Sequence, residues 1–248
     1  MKKESSAILP ANAIGKGRLS KRSLFSVAIA LLLMPLTLWF GETFLQGKKY
    51  YFISLLLLFE MMLPFFLIYE GRKPKAREIV IVASLCAIAV AGRLAFFMLP
   101  QFKPVMAVVI VSGIVFGGET GFLVGAVSMF ASNLFFSQGV WTPWQMVAMG
   151  LIGLLAGLVF RRNTSVPPKG GMMLFGFLAA IAVYGGMMNF SSAVIWSVDI
   201  NWKTVFPYYA TGFPFDVVHG IATAFFLWIG GEAMIEKLER IKYKYGLM

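Results

Sequence analysis

Long apolar runs alternate with short polar or basic segments along almost the whole chain. Most runs approach the roughly 20 residues that a helix needs to cross a bilayer. The pattern predicts eight spans, at about residues 24–42, 50–70, 78–98, 104–118, 120–136, 144–160, 172–197 and 209–235. The runs are continuous, whereas the strands of a transmembrane barrel alternate polar and apolar residues over about ten residues. The predicted fold class is therefore an all-α integral membrane protein with eight transmembrane helices.

The stretch 104–136 is ambiguous, because one long tilted helix competes with two shorter ones. Its first part, 104–118, is only about 23 Å long as a helix, which is marginal for a span. A single helix, however, would have to pass through Gly117-Gly118-Glu119-Thr120-Gly121, which contains three glycines and a charge. We expect a tight turn at this segment and two helices.

The distribution of basic residues supports the count of eight. Eight spans place 17 of the 22 Lys and Arg residues on one side, whereas seven spans would divide them almost evenly. Basic residues collect in cytoplasmic loops, so both termini are predicted to be cytoplasmic. The same rule explains the net charge of +11, and we expect no nucleic-acid partner.

The basic segment 71–77 divides the chain. The predicted organisation is a cytoplasmic N-terminal tail (1–23), an accessory transmembrane hairpin (24–70), this cytoplasmic linker (71–77) and a six-helix core (78–248). The first apolar run has no small-residue cleavage signature after it, so we interpret it as a retained span. With 59% hydrophobic residues, 13% charged residues and a mean hydropathy of +0.79, the chain is too apolar for a soluble domain.

Five charged, amide or imidazole side chains within the last six predicted spans are candidate ligand contacts: Arg93, Asn133, Asn189, Asp216 and His219. At 1.5 Å per residue, the topology places all of them in the outer half of the membrane. Ionisable groups in spans normally face a partner or a wet cavity. The set predicts either a ligand pocket open to the outside or a structural knot, such as an Arg93–Asp216 ion pair.

The loop and helix start at 137–145 contain Gln138, Trp141, Thr142, Trp144 and Gln145 beside a glycine and a proline. Aromatic faces next to amide groups suit a planar, hydrogen-bonding organic ligand, so these residues are candidate substrate-binding residues. The alternative is an aromatic belt at the membrane interface.

Signals for catalysis are poor. A single histidine excludes a His-rich metal site, and no P-loop or nucleophile motif occurs. Asp216 and His219 have i, i+3 spacing, but no further partner completes an acid–base pair or a metal site. We therefore expect no enzyme activity, no cofactor and no metal, and any active transport must draw its energy from a partner.

Several motifs together make residues 76–245 resemble the substrate-binding S components of energy-coupling-factor (ECF) transporters. They are Ala83/Ala87/Ala91, Lys103-Pro104, Ser112-Gly113, Phe116-Gly117, Gly121-Phe122, Ser132-Asn133, Gln138-Gly139, Trp141-Thr142-Pro143-Trp144-Gln145, Phe215-Asp216 and His219. The resemblance implies a bacterial inner-membrane protein with a six-helix core that captures a vitamin outside the cell. It also implies docking on a scaffold membrane protein with two ATPase subunits, which use the ATP.

The same resemblance assigns roles to two motifs. Ala83, Ala87 and Ala91 share one helix face, and small residues there permit close approach of a partner helix, which would be that of the scaffold protein. The Gln-Gly-x-Trp-Thr-Pro-Trp-Gln segment looks most like the cobalamin-associated S components, with queuosine precursors, riboflavin or another vitamin as alternatives. Two other classes of function remain open: a membrane enzyme acting on a lipid or isoprenoid, and a structural membrane subunit without a ligand.

Overall fold

The computed structural model describes residues 76–160 and 166–246, and before them only residues 36–37, 53, 56, 59–60 and 62–63. Residues 76–246 form six helices: α1 (Ala76–Ala95), α2 (Val105–Phe116), α3 (Gly118–Phe136), α4 (Thr142–Val159), α5 (Lys169–Trp196) and α6 (Trp202–Tyr245). π-Helical turns interrupt α5 at Ala180–Gly185 and α6 at Leu227–Gly231. The described part of the chain is all-α, as predicted.

Five of these helices, all except α2, are long and apolar enough to cross a membrane. At 12 residues, α2 is only about 18 Å long, which is too short to span the hydrocarbon core alone. All of its residues except Ile114 are buried. It is therefore the central helix of the bundle, and the surrounding helices separate it from lipid.

The predicted break between residues 104 and 136 is confirmed. The break lies at Gly117, whose φ of 94° is a backbone conformation that residues with a side chain rarely adopt. A Cβ on Gly121 would lie 2.7 Å from the Gly113 Cα, whereas eight residues of a continuous helix span about 12 Å. The chain therefore turns back sharply on itself at Gly117.

Glycines hold α2, α3 and α4 close together. A Cβ on Gly113 or Gly121 would collide with the Gly153 carbonyl oxygen, and one on Gly153 would collide with the Gly121 carbonyl oxygen. Gly157 has the same relation to the Gly118 amide. These close approaches explain the small-residue spacing as packing within the chain.

We expect Gly153→Ala to lower the free energy of unfolding by about 1–3 kcal/mol, because the added methyl group has no room between backbones. Thermal melting of the detergent-solubilised protein measures the change. Gly170→Ala in α5 is the matched control, since no atom of the described residues lies within 4 Å of a Cβ at that position. Equal melting temperatures for the two variants would contradict this packing.

The last helix is longer than the predicted span 209–235. It begins at Trp202, because Asn201 and Thr204 form a capping box in which the Asn201 side chain accepts from the Lys203 and Thr204 amides. It continues through a charged amphipathic stretch to Tyr245, where Gly246 closes it in the left-handed conformation. At 44 residues, α6 is about 66 Å long and extends well beyond one membrane thickness.

The bundle has two distinct ends. At one, the basic end, α1 and α5 begin and α2 and α6 finish. There Lys242 Nζ donates to the Val115 carbonyl oxygen (2.6 Å), Lys169 Nζ lies 3.1 Å from Glu232 Oε2, and Arg77 lies 5.6 Å from the Tyr245 ring centroid. We call the opposite end, where α1 and α3 finish and α4 begins, the loop end.

Only a few residues of the predicted accessory hairpin are described. Thr37 Oγ1 donates a hydrogen bond to Glu60 Oε1, which links its two predicted spans. Met62 is 4% exposed and lies in an apolar cluster with Phe122 and Trp144 of the core. The predicted count of eight spans and the bounds 1–23, 24–70 and 71–77 otherwise lie outside the described residues.

Candidate functional site

A cavity of about 210 Å³ lies between the helices at the loop end. Every helix and the α1–α2 loop contribute to its wall. The lining residues are Arg93, Phe97, Gln101, Lys103, Val105, Met129, Phe136, Gln145, Met149, Tyr184 and His219. The sequence-predicted residues Arg93, Gln145 and His219 therefore meet at one site.

Arg93 is held in place on two sides. Its Nη1 atom donates to Ser132 Oγ and to Asn133 Oδ1 (2.8 Å), which both lie on α3. Its guanidinium carbon lies 4.5 Å from the Phe136 ring centroid, within the range of a cation–π contact. The guanidinium is thus oriented by neutral groups before any ligand is present.

Asn133 extends this hydrogen-bond network from α3 to α4. Its Nδ2 donates to Thr142 Oγ1 (3.0 Å) and to Gln145 Oε1 (2.7 Å), and Thr142 Oγ1 also accepts from the Gly139 amide (3.2 Å). Asn133 and Thr142 are buried. These two residues position Gln145 and Arg93 and are absent from the cavity wall.

The α1–α2 loop closes one side of the cavity. Gln101 has a φ of 55°, a sparsely populated region for residues with a side chain. Lys103 Nζ donates to the Leu99 carbonyl oxygen (2.8 Å). Burial lowers the pKa of the Lys103 ammonium from its ordinary value, and the positive charge of Arg93 lowers this pKa further.

Tyr184 and His219 form the far wall. Their rings meet edge to face at a centroid distance of 4.9 Å. Tyr184 belongs to the π-helical turn of α5, and turns of this kind occur frequently at functional sites.

Asn189 and Asp216 lie in a second pocket, of about 300 Å³, between α5 and α6. Asn189 Nδ2 donates to Asp216 Oδ2 (2.7 Å). A Cβ on Gly212 would collide with the Asn189 amide, and one on Gly185 with the Asp216 carboxylate. The pair therefore packs against glycine backbone on each side and joins the two helices.

The sequence left open a structural ion pair between Arg93 and Asp216, and the structure does not form it. Arg93 donates to Ser132 and Asn133, whereas Asp216 accepts from Asn189. Asp216 and His219 also line different pockets. Among the described residues, no three Asp, Glu, His or Cys side chains come together as a metal site requires.

The 137–145 segment divides into residues near the cavity and residues away from it. Gln145 lines the cavity, whereas Gln138 is exposed and its Nε2 donates to the Phe130 carbonyl oxygen (2.9 Å). The Trp141 ring packs on Gly139. Trp144 is 7% exposed and meets Phe190 edge to face at 6.0 Å, within the apolar cluster that includes Met62.

Sequence reasoning did not identify six of the lining residues, which are Tyr184, Phe97, Gln101, Lys103, Val105 and Phe136. Tyr184 offered a usable signal, a hydroxyl within an apolar span. The others offered none, because their role depends on how the α1–α2 loop, the start of α2 and the end of α3 fold over the cavity.

Ala83, Ala87 and Ala91 lie exposed on one face of α1. Val80, seven residues before Ala87, adds an exposed apolar side chain to this face, whereas the exposed side chain of Ile88 lies about 100° around the helix from Ala87. No described part of the chain covers these alanines.

The family model described as the ECF-type riboflavin transporter, S component, matches residues 73–233, well over half of the chain. The chain belongs to this family. The resemblance inferred from the motifs is thereby confirmed at the level of the family, which is one of membrane transporter components.

Curated relatives match the chain over a shorter region. A UPF0397 protein of Vibrio atlanticus (strain LGP32) is 30% identical over 125 residues, which cover 48% of this S component and 68% of the relative. A UPF0397 protein of Aliivibrio fischeri (strain MJ11) is 34% identical with the same coverage. No solved structure matches the chain.

Proposed function

We propose that this S component captures a vitamin in the loop-end cavity and delivers it to an ECF module of one scaffold protein and two ATPase subunits. The observation that supports this most is the convergence of Arg93, Gln145, Tyr184 and His219, from four helices, on one partly open cavity. The wall combines six polar or charged residues with five apolar ones, and clefts in which polar groups converge beside apolar surface are typical of small-molecule sites.

The size of the cavity bears on the choice of vitamin. The Trp-Thr-Pro-Trp-Gln motif favours cobalamin, whereas the family description names riboflavin. At about 210 Å³ the cavity lies below the roughly 300–1,000 Å³ of sites that enclose a drug-sized ligand. We therefore propose a flavin-sized ligand first, since most of a corrinoid would have to lie outside the cavity; cobalamin is the alternative.

The proposed partners follow from what the chain lacks and from what it exposes. The sequence has no P-loop, so ATP hydrolysis would have to come from the partner ATPases. The exposed stripe of Ala83, Ala87 and Ala91 offers a face where a scaffold helix can approach closely.

The experiment that tests the function is identification of the compound that co-purifies with the detergent-extracted protein. Absorption spectra and mass spectrometry of the released compound would recognise a flavin or a corrinoid. Uptake of the same compound should then depend on co-expression of an ECF module. If the protein were a structural subunit, no compound would co-purify and no uptake would occur. If it were a membrane enzyme, the compound would be chemically altered.

We expect the loop end to face the outside of a bacterial inner membrane, with both termini in the cytoplasm, because 17 of the 22 basic residues then lie inside. On a Cys86→Ser background, an impermeant thiol reagent should label Val140→Cys and Lys203→Cys in intact cells. Ser165→Cys should react only after the cells are lysed. Labelling of Ser165→Cys in intact cells would contradict this orientation.

A further inference from the structure

The described wall of the loop-end cavity carries positive charge without a counter-charge. Arg93 and Lys103 both line the cavity, and none of the described Asp and Glu residues does. Within the described residues, Arg93 has hydrogen bonds only to Ser132 and Asn133, which are neutral. Asp216 lies in the other pocket, where its carboxylate accepts a hydrogen bond from Asn189.

An arginine within a membrane span is costly unless its charge is compensated. Both hydrogen bonds of Arg93 leave from Nη1, so Nη2 and Nε keep donors for a further acceptor. The Phe136 ring and the two α3 acceptors fix the plane of the guanidinium. A planar guanidinium with free, oriented donors is suited to bidentate binding of a carboxylate or phosphate.

Lys103 adds a second cation to the wall of the same cavity. Its ammonium is bound to a single backbone carbonyl, that of Leu99, which leaves two of its three donors. The repulsion from Arg93 that contributes to the lowered pKa of Lys103 is the kind of interaction that a bound anion relieves.

We propose that the ligand presents an anionic oxygen group, a carboxylate or a phosphate ester, to Arg93 and Lys103. This inference rests on the proposed function, since it concerns the chemistry of the vitamin captured in the same cavity. A neutral carbonyl would satisfy one donor but would leave the two positive charges uncompensated. An anion accepts from both side chains and neutralises charge in a partly buried site.

The test uses the full chain purified in detergent and pairs of probes in which one member carries an anionic group that the other lacks. Riboflavin and flavin mononucleotide form one pair, in which phosphorylation adds the anion. Pantothenol and pantothenate form a second pair, in which a carboxylate replaces an alcohol. Inorganic phosphate, compared with chloride at equal ionic strength, probes the anion site without any vitamin.

We expect the anionic member of at least one pair to bind about ten- to a hundredfold more tightly than its neutral partner. Phosphate should also raise the melting temperature above that in chloride. Both effects should disappear in Arg93→Gln and in Lys103→Gln. If Arg93→Gln fails to fold, Lys103→Gln still tests the site. The matched control is Lys203→Gln, which changes an exposed lysine outside the cavity.

The inference is overturned if neutral members bind as tightly as anionic ones, or if neither phosphate nor any anionic probe binds. It is also overturned if the preference for anions survives both substitutions. Tight binding and module-dependent uptake of a vitamin without any charge preference would reject the anion site and keep the transport function. Binding of anions without uptake of any vitamin would keep the anion site and reject the transport function.

Discussion

Gln145→Ala is expected to lower the affinity for the vitamin by about ten- to a hundredfold, or about 1–3 kcal/mol. Gln145 is the residue of the 137–145 segment that lines the cavity, and its Oε1 accepts from Asn133 Nδ2 at 2.7 Å. Its removal deletes an amide that can bind ligand and also deprives the buried Asn133 of a partner. Isothermal titration calorimetry of the purified protein measures the change, with thermal melting as the check on folding.

Gln138→Ala is the matched control, because it removes the same amide seven residues earlier from an exposed position. There Nε2 bonds only the Phe130 carbonyl in the described structure. We expect the affinity of this variant to be close to that of the wild type. Equal losses in the two variants would mean that the segment acts as a whole, and no loss in Gln145→Ala would remove it from the site.

Trp141→Ala tests whether Trp141 contacts the ligand, as the sequence pattern predicts. The density of aromatic and amide groups in the segment predicts a ligand lid that includes Trp141 and Trp144. In the structure the Trp141 ring packs on Gly139 and Trp144 belongs to an apolar cluster on another side of α4. A large loss of affinity in Trp141→Ala would show that this ring moves over the cavity when ligand binds.

Local signals predicted the helices well. Hydropathy located all six helices described in the core, and the cluster of glycines located the break at Gly117 because a positive φ is readily adopted only without a side chain. Hydropathy failed at the ends of α6, where a capping box and a charged amphipathic stretch extend the helix beyond its apolar part. Helix ends depend on backbone hydrogen bonds, which a hydropathy profile does not record.

The partners of the polar residues were less predictable. Depth along each helix predicted that Arg93, Asn133, Asn189, Asp216 and His219 all lie in the outer half of the membrane. It gave no information on which neighbouring helix each one faces. The structure divides them into the Arg93–Asn133 network with His219 across the cavity and the separate Asn189–Asp216 pair. That division follows from the packing of α5, whose Tyr184 and Asn189 face different pockets.

The second large effect that we expect separates ligand binding from transport. Ala87→Trp should abolish vitamin uptake in cells that carry an ECF module, while the isolated protein binds the vitamin with nearly unchanged affinity. Ala87 is exposed on α1 in line with Ala83 and Ala91. A small side chain there lets another helix approach to backbone contact, and an indole would prevent this approach.

The folded protein should tolerate this substitution, because nothing in the described chain covers the position. The competing explanation is that the stripe packs against helices of the same chain. In that case Ala87→Trp would lower the melting temperature and the affinity together.

Two controls make the result specific. Ile88→Trp places the same indole on the neighbouring exposed position, which already carries a large side chain at 51% exposure, and it should impair uptake much less. Ala87→Ser keeps the side chain small and should transport normally. Normal uptake by Ala87→Trp would reject the docking role, because a scaffold helix in close contact with this stripe has no space for an indole. Loss of uptake in both tryptophan variants would extend the docking face to the whole exposed side of α1.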